Sequence, residues 1–424
     1  DCLKGFRAYL QSLPVDALPV ELRNEDLASF HYGEWLLARG YDFKRNREET
    51  PLFADYLRFQ RAAITRYFGE LADYAREYAA SKGRPVLVSG NFFNILDQYY
   101  PLEPKVDLII TEMRNMRYRQ PAWYRYVAGF AGPKPVVVVE NPYGGVVPEM
   151  VADLNVGKGY DRFRMSLYEA AALGANMSVP YGAWLGSIEE DAWYPPHALC
   201  VEIQDFLAGH EALFGRETWN EVAVVYSVES EFRRATRRDA VANDQRNLAS
   251  GATTPFWQTC EALCDASQPY DVLFFPEGVL RPDALSGDDL AQYRTIILPD
   301  CAFLTPAQAA LLADALAAGK RLLVVGKLGT NLPAETMRPI LEHTGTLRQE
   351  TGRDFSAADL PMGVQVRISQ PCDAMVNVQR VAGGAAVHII RYDFDTKRER
   401  TPPLPEMTIE VGLPRRFGAL TVFS

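Results

Sequence analysis

The sequence predicts an α/β protein: a partial (β/α)8 barrel, then a doubly wound α/β domain, then a small antiparallel β domain. Three observations predict it. Short apolar runs ending in polar or aromatic residues alternate with helical stretches through the first half, the pattern of a (β/α) barrel. A second strand-and-helix alternation starts near Trp219, and from Gly363 onward β-rich runs broken by Gly, Pro and charge take over. A length of 424 residues suits two or three domains, and 48% hydrophobic with 23% charged residues is enough to bury their cores.

Taken in order, Phe6 to Leu10 opens as a helix with no strand before it. From Phe53 to Ala80 the apolar positions Phe53, Tyr56, Leu57, Phe59, Ile64, Tyr67, Phe68 and Leu71 recur at helical spacing, which predicts one long amphipathic helix. Four strands follow: Pro85–Ser89, Val106–Thr111, Pro135–Val139 and Asn176–Val179. Each is a continuous apolar run, as expected where a parallel sheet is covered on both faces. Tyr160 to Leu173 reads as the helix after the third strand, closed by Gly174. The barrel units are assigned to residues 1–215.

In residues 216–350, strands are predicted at Glu221–Ser227, Tyr270–Phe275, Thr295–Leu298 and Arg321–Val325. Helices are predicted near Phe256–Ala266 and at Pro306–Ala318, where Thr305-Pro306 makes a good start and Gly319 a stop. Gly326 lacks the neighbouring glycines of a dinucleotide fingerprint, which argues against a nucleotide site. Residues 351–424 carry predicted strands Val364–Ile368, Met375–Val381, Ala385–Tyr392 and Met407–Val411. His388 falls on one of them as a half-buried strand residue.

Composition narrows function. A net charge of −10 argues against nucleic acid and anionic membranes as partners. No apolar run is long enough to span a membrane, and no signal peptide is readable, so a cytoplasmic location is expected. The six cysteines (Cys2, Cys200, Cys260, Cys264, Cys301, Cys372) form no CxxC pair, so neither a zinc site nor a disulfide framework is predicted, and no cofactor is expected. Cys260 and Cys264 read as buried thiols one helical turn apart. Cys301, without flanking glycines or a His partner, reads as structural rather than nucleophilic. Aromatics after the strands (Phe92, Phe93, Tyr99, Tyr100, Tyr143, Tyr181, Trp184) are of the kind that stack on sugars, or simply core.

Active groups of a parallel barrel stand at the C-terminal ends of its strands. The residues there are Asn91, then Glu112 and Arg114, then Glu140 with Asn141 and Tyr143, then Tyr181 and Trp184. A retaining glycosidase needs one fixed carboxylate to attack the anomeric carbon and a second about 5 Å away to donate and recover a proton. Glu140, held at the rim after five apolar residues, suits the first role; an exposed or helix-capping loop glutamate is the alternative. Glu112 reads either as an acceptor for sugar hydroxyls or as a glutamate ion-paired with Arg114. Asn91 and Trp184 suit hydrogen bonding to and stacking on a sugar, or a structural role.

The order of these elements resembles glycoside hydrolase family 42, the β-galactosidases. Cys2-Leu-Lys-Gly-Phe6-Arg-Ala-Tyr-Leu10 resembles the cysteine and helix that follow the fourth barrel strand there. Asp300 to Gly326, with Leu304-Thr305 and its Ala-rich helix, resembles the family's flavodoxin-like trimerisation domain. The resemblance implies that the four strands are barrel strands five to eight, with Glu140 at the nucleophile's place. Asn91, Glu112, Arg114, Tyr143, Tyr181 and Trp184 would bind an oligosaccharide or glycoside, and the flavodoxin-like domain would assemble a homo-oligomer, a trimer in the family. The family's proton-donating glutamate follows strand four, and no Asn-Glu pair here replaces it: Asn24-Glu25 has no strand before it. The implied alternative is a catalytically incomplete carbohydrate-binding or assembly protein with a degenerate or split barrel.

Overall fold

The computed structural model describes residues 2–15, 18–41, 50–113, 116–140, 145–177, 195–235, 254–350, 355–370, 372–403 and 406–423. The chain opens with helices α1 (Cys2–Ser12) and α2 (Tyr32–Leu37) packed beside the long helix α3 (Phe53–Ser81). Phe6, Leu10, Phe30, Tyr32, Trp35 and Phe59 form an aromatic-rich core there, with Phe6 seated among the rings of Tyr32, Tyr56 and Phe59. Glu25 is tied into this region by Trp35 Nε1 at 3.0 Å and Arg39 at 2.8 Å, a structural role.

The barrel portion then alternates strand and helix: β1 (Ile109–Met113), α4 (Pro121–Ala131), β2 (Val136–Glu140), α5 (Val147–Asn155), α6 (Tyr160–Ala172), β3 (Asn176–Met177) and α7 (His197–Gly209). The strands are parallel in the order β1-β2-β3. Ile109, Thr111 and Met113 with Val136 and Val138 face the helices and are buried, while Ile110, Glu112, Val137 and Val139 on the other face are half-buried. Burying each of these Val and Ile side chains contributes about 1.5–3 kcal/mol, and a double-faced apolar run is what the continuous stretches encode.

The predicted strand Pro85–Ser89 does not form. This stretch bonds the residues that lead into β1: Asp107 N donates to Val88 O (2.8 Å), Val88 N donates to the Asp107 carboxylate (2.7 Å), and Ser89 Oγ donates to Leu108 O (2.9 Å). Regular pairing is limited to Asn91 with Ile110. An apolar run becomes a ladder strand only where backbone partners exist. The second predicted strand is displaced toward its C-terminus, which puts Glu112 inside β1 rather than after it.

The next sheet has five parallel strands: β4 (Val222–Ser227), β5 (Asp271–Phe275), β6 (Thr295–Pro299), β7 (Arg321–Val325) and β8 (Thr346–Gln349). Helices α8 (Val228–Ala235), α9 (Pro255–Asp265), α10 (Pro306–Ala317) and α11 (Ala334–Leu341) accompany it. The spatial order β5-β4-β6-β7-β8 is the flavodoxin-like doubly wound order. Thr305 starts α10 with a reciprocal capping box to Gln308. Helix α4 of the barrel lies on edge strand β5 so closely that a Cβ on Gly129 would sit 2.3 Å from Val272 O. Glycine permits that contact, and the contact covers the sheet edge.

The remaining strands pair antiparallel: β9 (Val366–Ile368) with β12 (Ile409–Val411), and β10 (Ala374–Val381) with β11 (Gly384–Arg391). Residues 374–379 of β10 are buried against the other two parts. Arg125 of α4 donates to Tyr270 O (2.5 Å), Val376 O (2.8 Å) and Asn377 Oδ1 (3.1 Å), and Asn377 Nδ2 donates to Ala172 O (2.8 Å). One buried network thereby joins barrel, doubly wound sheet and β10. His388 is half-buried on β11, with Nε2 2.9 Å from Leu213 O, and burial pushes its pKa down.

Candidate active site

The C-terminal ends of the barrel strands bring three of the expected residues onto adjacent chain segments. Asn91 is held by the segment that follows it: Phe92 N donates to Ile110 O (2.8 Å) and Thr111 Oγ1 donates to Phe92 O (2.8 Å). The chain then reverses through Asn94 and Ile95, both at positive φ (55° and 48°). Two left-handed non-glycine residues in succession cost roughly 1–2 kcal/mol each, and the bond from Tyr126 Oη to Ile95 O (2.9 Å) helps hold the turn.

With the backbone so pinned, Asn91 Nδ2 donates a 3.0 Å hydrogen bond to Glu112 Oε2. Asn91 is exposed and Glu112 half-buried, so the pair is open to a ligand. Glu140 is the last residue of β2 and pairs with Met113, one step beyond the pairing of Glu112 with Val139. Arg114, Tyr143, Tyr181 and Trp184 lie outside the described residues.

Two of the aromatics expected near the strand ends belong to the core. Phe92 and Tyr100 are 3% and 6% exposed, packed edge-on against Phe130, and Tyr100 also tilts onto Phe274 at 4.6 Å. They fold under α4 and offer no platform for a sugar. Phe93 and Tyr99 are half-buried, Tyr99 packing edge-on against Phe92.

Cys260, Cys264 and Cys301 are buried, and burial pushes each thiol up, so none supplies a thiolate at neutral pH. Among the described residues no cluster of His, Cys, Asp or Glu has the arrangement to hold a metal ion, and no helix is long and apolar enough to cross a membrane.

A cavity of about 900 Å³ lies elsewhere. Residues from the C-terminal end of α4 and from β5 line it, together with Gly132 and Leu173, which precede β2 and β3. That is the N-terminal end of the barrel strands, opposite the Asn91–Glu112 pair. Two of its wall residues, Arg216 and Asp271, carried no signal in the sequence. Arg216 donates to the carbonyls of Ala128, Gly132 and Gly174, and burial lowers its pKa to about 10. Asp271 is half-buried and bonded to Thr218, Asn220 (2.7 Å), Gln292 (3.2 Å) and Tyr293 (3.0 Å). Each is saturated by partners distant in the chain, so both read as supports for the junction.

No protein-family model matches the chain, and no curated protein matches it. Solved structures do. The β-galactosidase from Bacillus circulans sp. alkalophilus is 14% identical and matches 92% of this chain and 63% of its own, at a TM-score of 0.55. The cold-adapted β-galactosidase from Rahnella sp. R3 is 13% identical with the same coverages at 0.51. A family 42 exo-carrageenase from Bacteroides ovatus is 11% identical over 88% of this chain and 54% of its own, also at 0.51.

The fold is that of the family 42 β-galactosidases. The chain spans about 63% of the length of the first two enzymes it matches. At these identities the likeness concerns fold alone.

Proposed function

We propose that the chain is the nucleophile-bearing part of a retaining glycoside hydrolase acting on β-linked, galactose-like sugars. The observation that carries this reading is the Asn91–Glu112 hydrogen bond at the C-terminal end of a parallel barrel arc in a β-galactosidase-like fold, with Glu140 closing the neighbouring strand. Glu140 is the nucleophile: its carboxylate attacks the anomeric carbon as the bond to the leaving oxygen breaks, and water later releases the sugar from the ester. Glu112 accepts from sugar hydroxyls and Asn91 donates to them, while Arg114, Tyr143, Tyr181 and Trp184 complete the subsite.

The reaction also needs a proton donor for the leaving oxygen. Among the described residues at the barrel-strand ends, Glu112 and Glu140 are the carboxylates, and both are assigned. We place the acid/base carboxyl on polypeptide outside these described strand ends, and the doubly wound domain serves a cytoplasmic homo-oligomer. The 424-residue chain alone is expected to leave aryl β-galactosides intact, and the closed barrel to hydrolyse them. Glu140→Gln in the closed barrel should abolish turnover while sugar binding persists.

A second reading has one observation in its favour, that among the described residues at the barrel-strand ends Glu112 and Glu140 are the carboxylates. It makes the chain a carbohydrate-binding or assembly protein with a degenerate barrel, and it expects saturable binding of galactosides with no turnover in any closed form.

A further inference from the structure

The cavity of about 900 Å³ has the size of a small-molecule site and lies where such sites are common, at a junction of structural parts. Residues 276–293 after β5, residues 215–218 before β4, and β10 all contribute to its wall. Two arginines stand in it with their guanidiniums laid on aromatic rings, Arg281 over Tyr100 at 3.8 Å and Arg380 over Trp219 at 3.9 Å. Arg281 is held further by Glu103 (2.5 Å), and its amide donates to the Glu277 carboxylate (3.2 Å). Asp288 stands on a turn fixed by its neighbour Asp289, which accepts from Ser286 N (2.8 Å) and Oγ (2.7 Å). These polar groups are in place before any ligand arrives, which lowers the cost of binding.

Charge in the wall is already close to matched, with four arginines against five carboxylates. Arg281 pairs with Glu103, and Arg380 faces Glu217 at 3.8 Å. Arg125 donates to carbonyl and amide oxygens, and Arg216 to Ala128 O and Gly174 O at the C-terminal ends of α4 and α6, where a cation is favoured. Asp271 accepts from four neutral side chains. What is left over is a mixture of donors and acceptors. Among the described residues, Nε and Nη2 of both Arg281 and Arg380 have no acceptor, and Gln292 Oε1 and the Asp288 carboxylate have no donor. A phosphate or carboxylate would meet the first need but has no O–H for the second, and exposed Asp288, Asp289 and Glu217 repel it. A hydroxyl group both donates and accepts. Pro133 and Pro282 add apolar surface to the same wall.

We propose that this cavity is a second carbohydrate site, which takes a neutral mono- or disaccharide at the base of the barrel, at the opposite end of the strands from Asn91 and Glu112. Sugar hydroxyls accept from the ring-stacked guanidiniums of Arg281 and Arg380 and donate to Gln292 Oε1 and Asp288, while C–H faces lie on Pro133 and Pro282. The site performs no chemistry. It goes beyond the hydrolase reading and stands apart from it, because none of its residues belongs to the rim.

The test titrates the 424-residue chain calorimetrically with D-galactose, D-glucose, lactose and maltose, and with galacturonate as the charged comparator. At least one neutral sugar should bind saturably and more tightly than galacturonate. Asp288→Ala and Arg380→Ala, both at exposed positions, should each weaken that binding by about tenfold. Ala284→Trp, which puts an indole into the cavity from its exposed side, should abolish binding and leave the melting temperature unchanged. Asn91→Ala combined with Glu112→Gln should not alter it. Absence of saturable binding by all four neutral sugars overturns the proposal, as does a preference for galacturonate. Binding that the rim double variant removes and the three cavity variants leave intact also overturns it, while supporting the hydrolase reading. Binding that only the cavity variants weaken upholds the second site whether or not the rim proves catalytic, so the two claims fail separately.

Discussion

Asn91 Nδ2 and Glu112 Oε2 are 3.0 Å apart across neighbouring segments of the barrel arc, and the bond fixes one carboxylate oxygen at the rim. The donor is exposed and sits on an edge that bonds one neighbour only, so its value is positional rather than stabilising. Asn91→Ala should leave the melting temperature nearly unchanged. In the closed barrel it should raise KM for an aryl galactoside by about tenfold, the loss of roughly 1.4 kcal/mol of binding. Steady-state kinetics check this, and an unchanged KM would remove both residues from the sugar site.

Glu169 on α6 is buried, and burial raises its pKa to about 8 from an ordinary 4.5. Its Oε1 accepts from Gln120 N (3.0 Å) and Tyr392 Oη (2.5 Å). Because the folded pKa is raised, the neutral acid is the form the fold favours. Its contribution is complete below about pH 4.5 and is lost as pH rises toward 8. Glu169→Gln keeps both acceptor contacts and cannot ionise. It should flatten the decline and exceed the parent protein at pH 8 by about 2 kcal/mol. Urea unfolding at pH 5 and pH 8 measures the difference; a parent protein that gains stability over that interval relative to the variant would contradict the assignment.

The junction of barrel and doubly wound sheet rests on Gly129. Gly129→Ala places a methyl 2.3 Å from Val272 O, and helix and strand must separate. The expected loss is about 2 kcal/mol. Gly209→Ala, where a Cβ would meet nothing within 4 Å, should be neutral or stabilising by about 0.5 kcal/mol. Equal effects from the two, read from denaturant midpoints, would show that close packing at Gly129 does not hold the parts together.

The fold was legible where burial alone decides structure. Val136 to Val139 is a continuous apolar run because β2 is buried on one face and half-buried on the other, and Tyr160 to Ala172 carries helical spacing closed by a glycine at φ 76°. Pro85 to Ser89 has the same apolar signature without becoming a strand, since composition does not say whether a neighbour is present. Strand β8 was missed for the converse reason: Thr346-Leu-Arg-Gln is a half-exposed edge with no apolar run, ordered by pairing with β7. Of the site, Asn91 and Glu112 could be picked out as strand-end polar residues, but their mutual bond spans 21 positions and is invisible to local pattern. The Arg125–Asn377 junction spans 252 positions and left no local trace at all.

The central claim is that Glu140 is the nucleophile, and the most direct measurement is covalent trapping. The closed-barrel protein is incubated with a 2-deoxy-2-fluoro galactoside bearing a dinitrophenyl leaving group, whose slow hydrolysis lets the glycosyl ester accumulate, and peptides are mapped by mass. The sugar is expected on the peptide containing Glu140, with no labelling in Glu140→Gln. A label on another carboxylate, or full turnover by Glu140→Gln, would contradict the account.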